Sequence, residues 1–147
     1  VGKDSYTVAF WINYSTDDPL PGIIQTGNST GWPDSGWVAR KGASGGLDVY
    51  SVDASTSLFE DGSLYSENED LLNIFSVDGN TITARVYDTN GFVGSNSGSA
   101  TLNSGDTGLL WGANNDYLMT LNLYEVRTFN EALSREQCDA VWEVSKP

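Results

Sequence analysis

The chain has 147 residues, enough for one domain with a core that is stable alone, and its formal net charge is −13 at pH 7. Its seven lysine and arginine residues are scattered, so no basic patch is available to bind the phosphate backbone of a nucleic acid. The same negative charge disfavours sulfated or uronic glycans and anionic lipid surfaces, but it leaves neutral sugars and divalent cations as ligands.

The chain contains no histidine and a single cysteine, Cys138. These counts exclude Ser-His-Asp and Cys-His catalysis, histidine zinc sites and an internal disulfide. Carboxylates are left as the acid–base groups of the chain. The sequence shows no signal peptide, transmembrane run or lipidation motif, so we expect no membrane insertion.

Glycine, serine, asparagine, aspartate and threonine recur between short runs of β-branched and aromatic residues, which is typical of an all-β sandwich. The first such run, residues 6–12, alternates so that Val8, Phe10 and Ile12 face the core. Trp11 then lies on the opposite face of the strand. Residues 22–25 predict the next strand.

A loop is predicted at residues 27–36, which contain the sequence Trp32-Pro33-Asp34. An aromatic residue beside proline, flanked by glycine and polar residues, is difficult to place in a core. If it is exposed, the Trp32 indole can stack on a sugar ring, while a polar rim that includes Asp34 reads the hydroxyl positions. The alternative is a tryptophan folded back over its own loop.

Two neighbouring strands are predicted next, over residues 36–41 and 47–52. Alternation places Trp37 on one face of the first strand, and we include it among the candidates for contact with a glycan. On the opposite face, paired strands would present Arg40, Asp48 and Tyr50 together. That half-polar, half-aromatic surface suits a saccharide, and it equally suits an ordinary solvated sheet face.

An acidic loop is predicted at residues 59–70, FEDGSLYSENED, which carry five carboxylates. Calcium is the cofactor that such a loop suggests, because hard cations take carboxylate and carbonyl oxygens. The ordered ligand spacing of an EF-hand is absent, however, and no metal ligand can be assigned. A solvated acidic loop is the alternative interpretation.

A meander is predicted next. Its strands are residues 71–77 and 81–87, and its tight turns are residues 78–80 and 90–91. We expect residues 95–99, which are rich in glycine and serine, to be a mobile loop. Residues 100–102 should then resume the sheet.

A polar loop at a strand junction contains Asn114, Asn115, Asp116 and Tyr117. Amides read sugar hydroxyls well, because each offers both a donor and an acceptor. We therefore include these four residues among the candidate glycan ligands, with simple turn formation as the alternative.

A short helix is predicted near the C-terminus, where Ser134 and Gln137 have the spacing of a capping box. Cys138, Val141 and Trp142 follow at spacings of three and four and form one apolar stripe. The stripe can cover the open edge or end of a sheet.

The closing segment, LYEVRTFNEALSREQ at residues 123–137, resembles the signature of laminin G-like domains. Residues 6–12 are similar to the opening strand of that family, and residues 77–80 and 86–88 are similar to its central hairpin. The resemblance implies a concanavalin A-like jelly-roll sandwich, in a superfamily of carbohydrate-binding modules, lectins and some glycosidases. Tyr124 stands where the family usually has aspartate, so the role of that aspartate is not transferred.

The glycosidases of that superfamily carry E-x-D-x-x-E on one strand, where two carboxylates lie about 5 Å apart. Residues 67–72, ENEDLL, do not have this pattern, because Leu72 stands where the second catalytic glutamate is needed. We therefore expect that the protein is not an enzyme.

These observations together predict one all-β domain over residues 1–147, a two-sheet antiparallel jelly-roll sandwich with one short C-terminal helix. Its start at Val1, within a β-like pattern, suggests a domain excised from a longer polypeptide. The predicted function is non-catalytic, lectin-like binding of a neutral glycan, extracellularly or at a cell or virion surface. The alternative is a structural or adhesion module that contacts another protein, or other domains of the same polypeptide, without a sugar site.

The first testable prediction concerns Trp32. We expect Trp32→Ala to weaken glycan binding by about 1–3 kcal/mol while it lowers the free energy of unfolding by less than about 1 kcal/mol. Trp142→Ala, on the apolar stripe of the helix, is the internal control and should cost about 3–5 kcal/mol of stability. Denaturant midpoints of both variants check this, and equal losses would make Trp32 a structural residue.

Overall fold

The computed structural model describes residues 5–15, 22–26, 35–102, 109–111, 113–114, 117–118 and 120–146, with the backbone alone for residues 109–120. The strands and the α-helix of this part of the chain are, in order, β1 (Ser5–Ser15), β2 (Gly22–Thr26), β3 (Trp37–Lys41), β4 (Leu47–Ser51), β5 (Thr56–Asp61), β6 (Leu71–Asp78), β7 (Thr81–Asp88), β8 (Gly91–Ser99), β9 (Leu109–Trp111), β10 (Ala113–Asn114), β11 (Tyr117–Leu118), β12 (Thr120–Phe129) and α1 (Arg135–Ser145). A 3-10 turn, Gly62–Leu64, follows β5.

Two five-stranded sheets pack against each other as a β-sandwich. Sheet I has the strand order β12-β1-β6-β7-β8, and sheet II has the order β5-β4-β3-β2-β9. Neighbouring strands are antiparallel in both sheets, and β10 pairs with β11 in a separate antiparallel ribbon. The predicted all-β sandwich with one short C-terminal helix is confirmed.

The main core lies between the two sheets. Alternation along β1 turns Val8, Phe10 and Ile12 into this core, as predicted. Trp37, from β3 of the opposite sheet, packs its ring 5.3 Å from that of Phe75, measured between centroids. Apolar side chains of both sheets therefore exclude water from the interior of the sandwich.

A second core lies between sheet I and α1. Cys138 and Val141 pack against Ala9, Trp11 and other apolar residues on the outer face of the sheet. The predicted capping box is confirmed, because the side chains of Ser134 and Gln137 each bond to the backbone of the other. The apolar stripe thus covers a sheet face rather than an edge. No helix in the described part of the chain has the length and apolar character that spanning a bilayer requires.

Two segments that were predicted as loops lie in strands, one of them only at its start. The acidic loop at residues 59–70 begins inside β5, and the segment predicted to be mobile, residues 95–99, belongs to β8. Two glycines of β8 have a packing reason: a Cβ at Gly94 would lie 2.8 Å from Leu64 Cδ2, and one at Gly98 would lie 2.6 Å from Leu58 Cβ. Residues 100–102, predicted to resume the sheet, lie outside the strands.

A buried amide interrupts the apolar core. Asn73 on β6 faces the space between the sheets, and its strand neighbours are Phe10 and Val86. It is 0% exposed, and neither its Oδ1 nor its Nδ2 atom has a hydrogen-bond partner among the described residues. Burying an amide without a partner costs free energy, so Asn73 lowers the stability of the fold.

We predict that Asn73→Leu, which keeps the number and branching of the side-chain heavy atoms, raises the free energy of unfolding by about 1–2 kcal/mol because it removes an unsatisfied buried amide. Asn122→Leu is the matched control, since Asn122 is exposed on β12 and its replacement should change stability by less than about 0.5 kcal/mol. Urea midpoints measure both effects. A less stable Asn73→Leu variant would contradict this account of the core.

Candidate functional site

The outer face of sheet II carries a cluster of polar and aromatic side chains that we call the sheet II face: Arg40, Asp48, Tyr50 and Ser57. Alternation positions it, because the neighbouring residues Ala39 and Val49 turn into the core. Register then completes the cluster. Arg40 lies opposite Asp48 on β4, and Tyr50 lies opposite Ser57 on β5.

The four side chains of the sheet II face contact one another closely. Arg40 Nε donates a hydrogen bond to Asp48 Oδ2 at 2.7 Å, and Ser57 Oγ donates to the other carboxylate oxygen at 2.6 Å. The guanidinium carbon of Arg40 lies 4.8 Å from the centroid of the Tyr50 ring. The ion pair is largely buried, with 15% of the Arg40 side chain and 5% of the Asp48 side chain exposed. The cluster is therefore held in one geometry.

This arrangement combines an aromatic ring with hydrogen-bonding groups and no net charge. Arg40 and Asp48 neutralise each other, and Tyr50 is half-buried. Such a surface can contact the C–H groups of a neutral ligand with its ring and the hydroxyls of that ligand with its polar atoms. The predicted meeting of Arg40, Asp48 and Tyr50 on one face is confirmed.

Trp37, by contrast, has no place at the sheet II face. It is 1% exposed, and its Nε1 donates a hydrogen bond to the Tyr6 hydroxyl at 2.8 Å. Burial raises the pKa of the Tyr6 phenol, although the hydrogen bond from Trp37 lowers it in part. We correct the prediction accordingly: Trp37 is a core residue, because its position in the strand alternation points inward.

The other predicted site residues are either outside the described part of the chain or described by their backbone alone. Trp32, Asp34, Asn115 and Asp116 lie outside the described residues. Asn114 and Tyr117 are opposite each other in the β10–β11 ribbon, with their backbones alone described. The predicted roles of these six residues in glycan binding therefore remain predictions. The ribbon comes directly after β9, which is the edge strand of sheet II beside β2.

Sequence reasoning missed Ser57, which binds the Asp48 carboxylate. Its strand, β5, escaped notice because Leu58 and Phe59 are adjacent apolar residues and break the period of two. A register shift between Val49 and Tyr50 of the partner strand accommodates the irregularity. The run of four β-compatible residues TSLF was the available signal.

The acidic segment at residues 59–70 uses its carboxylates for local contacts. Glu67 accepts hydrogen bonds from Lys41 Nζ at 2.9 Å and from the Tyr65 hydroxyl at 3.1 Å. Glu60 accepts one from the backbone N–H of Ser44 at 2.7 Å. Within the described ranges, no group of three or more acidic, histidine or cysteine residues is arranged to hold a metal ion.

Comparison with known proteins identifies solved structures with a similar fold. No model of a known protein family matches the chain, and no curated protein matches its sequence. The binding domain of botulinum neurotoxin serotype D has a TM-score of 0.60 and 20% identity, over 97% of this chain and 38% of that one. The binding domain of botulinum neurotoxin DC in complex with SialylT has a TM-score of 0.63 and 12% identity, over 96% and 36%.

A third similar structure comes from work on the cell entry of botulinum neurotoxin type C, described as dependent on interaction with two ganglioside molecules. Its TM-score is 0.61 and its identity 14%, over 96% of this chain and 36% of that one. The chain thus spans less than two fifths of the length of these toxin domains. The likeness establishes a shared β-sandwich fold. The resemblance to laminin G-like domains stays a prediction.

We predict that Asp48→Asn lowers the free energy of unfolding by about 3 kcal/mol, since it breaks a largely buried ion pair by removing the charge of one partner. Glu143→Gln is the control, because Glu143 pairs with Lys146 at the surface, where the side chains are 61% and 45% exposed. An exposed pair of this kind is worth less than about 1 kcal/mol. Thermal and denaturant unfolding of both variants should separate them, and similar small losses would show that the Arg40–Asp48 pair is not structural.

Proposed function

We propose that this protein is a non-catalytic carbohydrate-binding module whose sheet II face binds a neutral glycan. The observation that carries the proposal is the packing of Arg40, Asp48 and Tyr50 on the outer face of sheet II. An aromatic ring beside fixed donors and acceptors is the usual composition of a sugar site. The charges of Arg40 and Asp48 cancel, and Glu60, which lies opposite Asp48 on β5, adds a negative charge to the same face, so a neutral ligand is favoured over an acidic one.

The fold neighbours support the same class of function. The descriptions of two of them name gangliosides or a SialylT ligand as what those toxin domains bind. By extension, we propose that this chain acts extracellularly or at a cell or virion surface, where glycans are presented. In this proposal the predicted loop residues, Trp32, Asp34 and the residues 114–117, extend the binding surface beyond the sheet II face.

The absence of catalysis is also a proposal, and it rests on how the acidic residues are used. Glu67 is engaged by Lys41 and Tyr65, and it lies between β5 and β6 rather than on a strand beside a second carboxylate. A retaining glycosidase needs two carboxylates about 5 Å apart on either side of the scissile bond. Calcium stays a proposed ligand of this protein without assigned residues.

A second candidate function is protein contact by a structural or adhesion module. Strand β12 lies at the edge of sheet I and exposes three large apolar residues, Leu123, Tyr124 and Val126, by 37%, 58% and 42%. An exposed apolar row on an edge strand favours contact with another polypeptide, such as a neighbouring domain.

A glycan array on the 147-residue chain, in calcium and in chelator, tests the proposed function. We expect binding to neutral glycans, and we expect Tyr50→Ala to weaken it by about 1–3 kcal/mol, or roughly 5- to 150-fold. Tyr124→Ala is the matched control, because it removes a more exposed tyrosine from the other sheet and should leave glycan binding unchanged. Tyr50→Phe separates the ring from the hydroxyl.

The two functions give opposite outcomes in this experiment. Neutral glycan binding that depends on Tyr50 supports the carbohydrate-binding module. An array that stays blank in both calcium and chelator would remove that proposal and favour protein contact through β12. Binding that Tyr124→Ala weakens as much as Tyr50→Ala would move the sugar site away from sheet II.

A further inference from the structure

An open cleft of about 370 Å³ lies between the outer face of sheet I and the N-terminal end of α1. Its floor comes from β6 and β7, where Ser76 lies opposite Thr83 and Asp78 lies opposite Thr81. Its wall comes from residues 132–137. The volume is at the lower end of the range for small-ligand sites, so the cleft suits one or two sugar rings rather than a larger ligand.

The wall of the cleft is fixed by hydrogen bonds to β1. The Thr7 hydroxyl donates to the Glu131 carbonyl oxygen at 2.8 Å and accepts from the Leu133 N–H at 2.9 Å. The Ser5 hydroxyl accepts from the Ala132 N–H at 2.8 Å. The cleft is therefore formed before any ligand binds, which lowers the entropic cost of binding.

Arg85 lines this cleft and differs from the other cations of the described chain. Each of the others forms an ion pair: Arg40–Asp48, Lys41–Glu67, Arg127–Glu125, Arg135–Asp139 and Lys146–Glu143. Arg85 forms no ion pair with any described carboxylate, although the chain has 20 acidic residues. Its Nη1 donates to the Leu133 carbonyl oxygen at 3.5 Å, its side chain also bonds the Cys138 side chain, and the Asp139 carboxylate lies within electrostatic range. A guanidinium has five N–H donors, more than these contacts use.

We infer that this cleft binds an acidic sugar, with the Arg85 guanidinium on the sugar carboxylate and the Thr83 hydroxyl on the ring. The hydroxyls of Ser76 and Thr81 also lie at the cleft, but they already bond to Thr7 and Ser99. The inference rests on the proposed function and adds a second site with a different ligand class. The planar guanidinium matches a carboxylate with two parallel hydrogen bonds. The N-terminal end of α1 does not supply the charge, because the capping box already occupies it.

The overall negative charge of the chain disfavours a ligand with several negative charges, but it does not exclude a ligand with one. Distant charges are screened over about 8 Å at physiological ionic strength, so the nearby guanidinium outweighs them at the site. Asp78, however, lines the same cleft and repels anions. A carboxylate with one charge is therefore favoured over a phosphate with two.

The test on the unmodified chain compares matched ligands by NMR titration: glucuronic acid and N-acetylneuraminic acid, each against its methyl ester, and glucose 6-phosphate. We expect at least one acid to bind about tenfold more tightly than its ester, because the ester keeps the ring and loses the charge. Equal binding of acid and ester, or no binding of either acid, overturns the inference. Tighter binding of glucose 6-phosphate overturns the assignment to a carboxylate.

Two variants locate the effect. Arg85→Gln should reduce binding of the acid to the level of its ester, while Arg127→Gln should leave it unchanged. Both changes remove one positive charge from sheet I, so they differ in position and not in net charge. Equal losses in the two variants would contradict a site at Arg85. The acid–ester comparison on the unmodified chain decides the matter if Arg85→Gln fails to fold.

The two proposals can fail separately. Loss of neutral glycan binding on Tyr50→Ala reports on the sheet II face, whereas a preference for acid over ester reports on the cleft. A protein that binds neutral glycans through Tyr50 and does not distinguish acid from ester keeps the proposed function and loses this inference.

Discussion

Burial of β1 on both faces is the constraint on which the rest of the structure depends. Residues 8–12 are at most 1% exposed, because Val8, Phe10 and Ile12 face sheet II while Ala9 and Trp11 face α1. A strand buried on both sides needs a cover on each side. Trp11 Nε1 donates to the Ser145 hydroxyl at 2.9 Å, so even the polar atom of this indole is satisfied by the covering helix.

The extent of that cover decides where sheet I can meet a ligand. Beneath α1, the outer face of β6 is apolar, with Leu72 and Ile74 in the second core. Beyond the helix the same face turns polar, with Ser76 and Asp78 in the cleft. A helix long enough to bury the apolar part therefore leaves a polar margin beside it. The sheet II face can be polar for a comparable reason, since the main core needs only the inward residues of sheet II.

Charge is arranged locally rather than spread evenly over the surface. With 20 acidic residues and seven basic ones, most cations of the described chain find a carboxylate, and the pairs range from the largely buried Arg40–Asp48 to the exposed Lys146–Glu143. Buried pairs fix geometry because separating them is costly, and exposed pairs contribute little. Arg85 departs from this pattern, and its position follows from strand register: it lies opposite Ile74, just beyond the edge of the apolar second core.

The sequence by itself determined the fold class, the capping box and the meeting of Arg40, Asp48 and Tyr50, because periodicity and local hydrogen bonding operate within a few residues. It could not identify β5, whose adjacent apolar residues break the period of two. Nor could it identify the strand at residues 95–99, because Gly98 looks flexible in the sequence and is required there by its close contact with Leu58. Nor could it place Trp37 in the core or bring Arg85 beside α1. Those outcomes depend on which face each sheet turns toward its partner, and contacts between residues distant in the chain decide that.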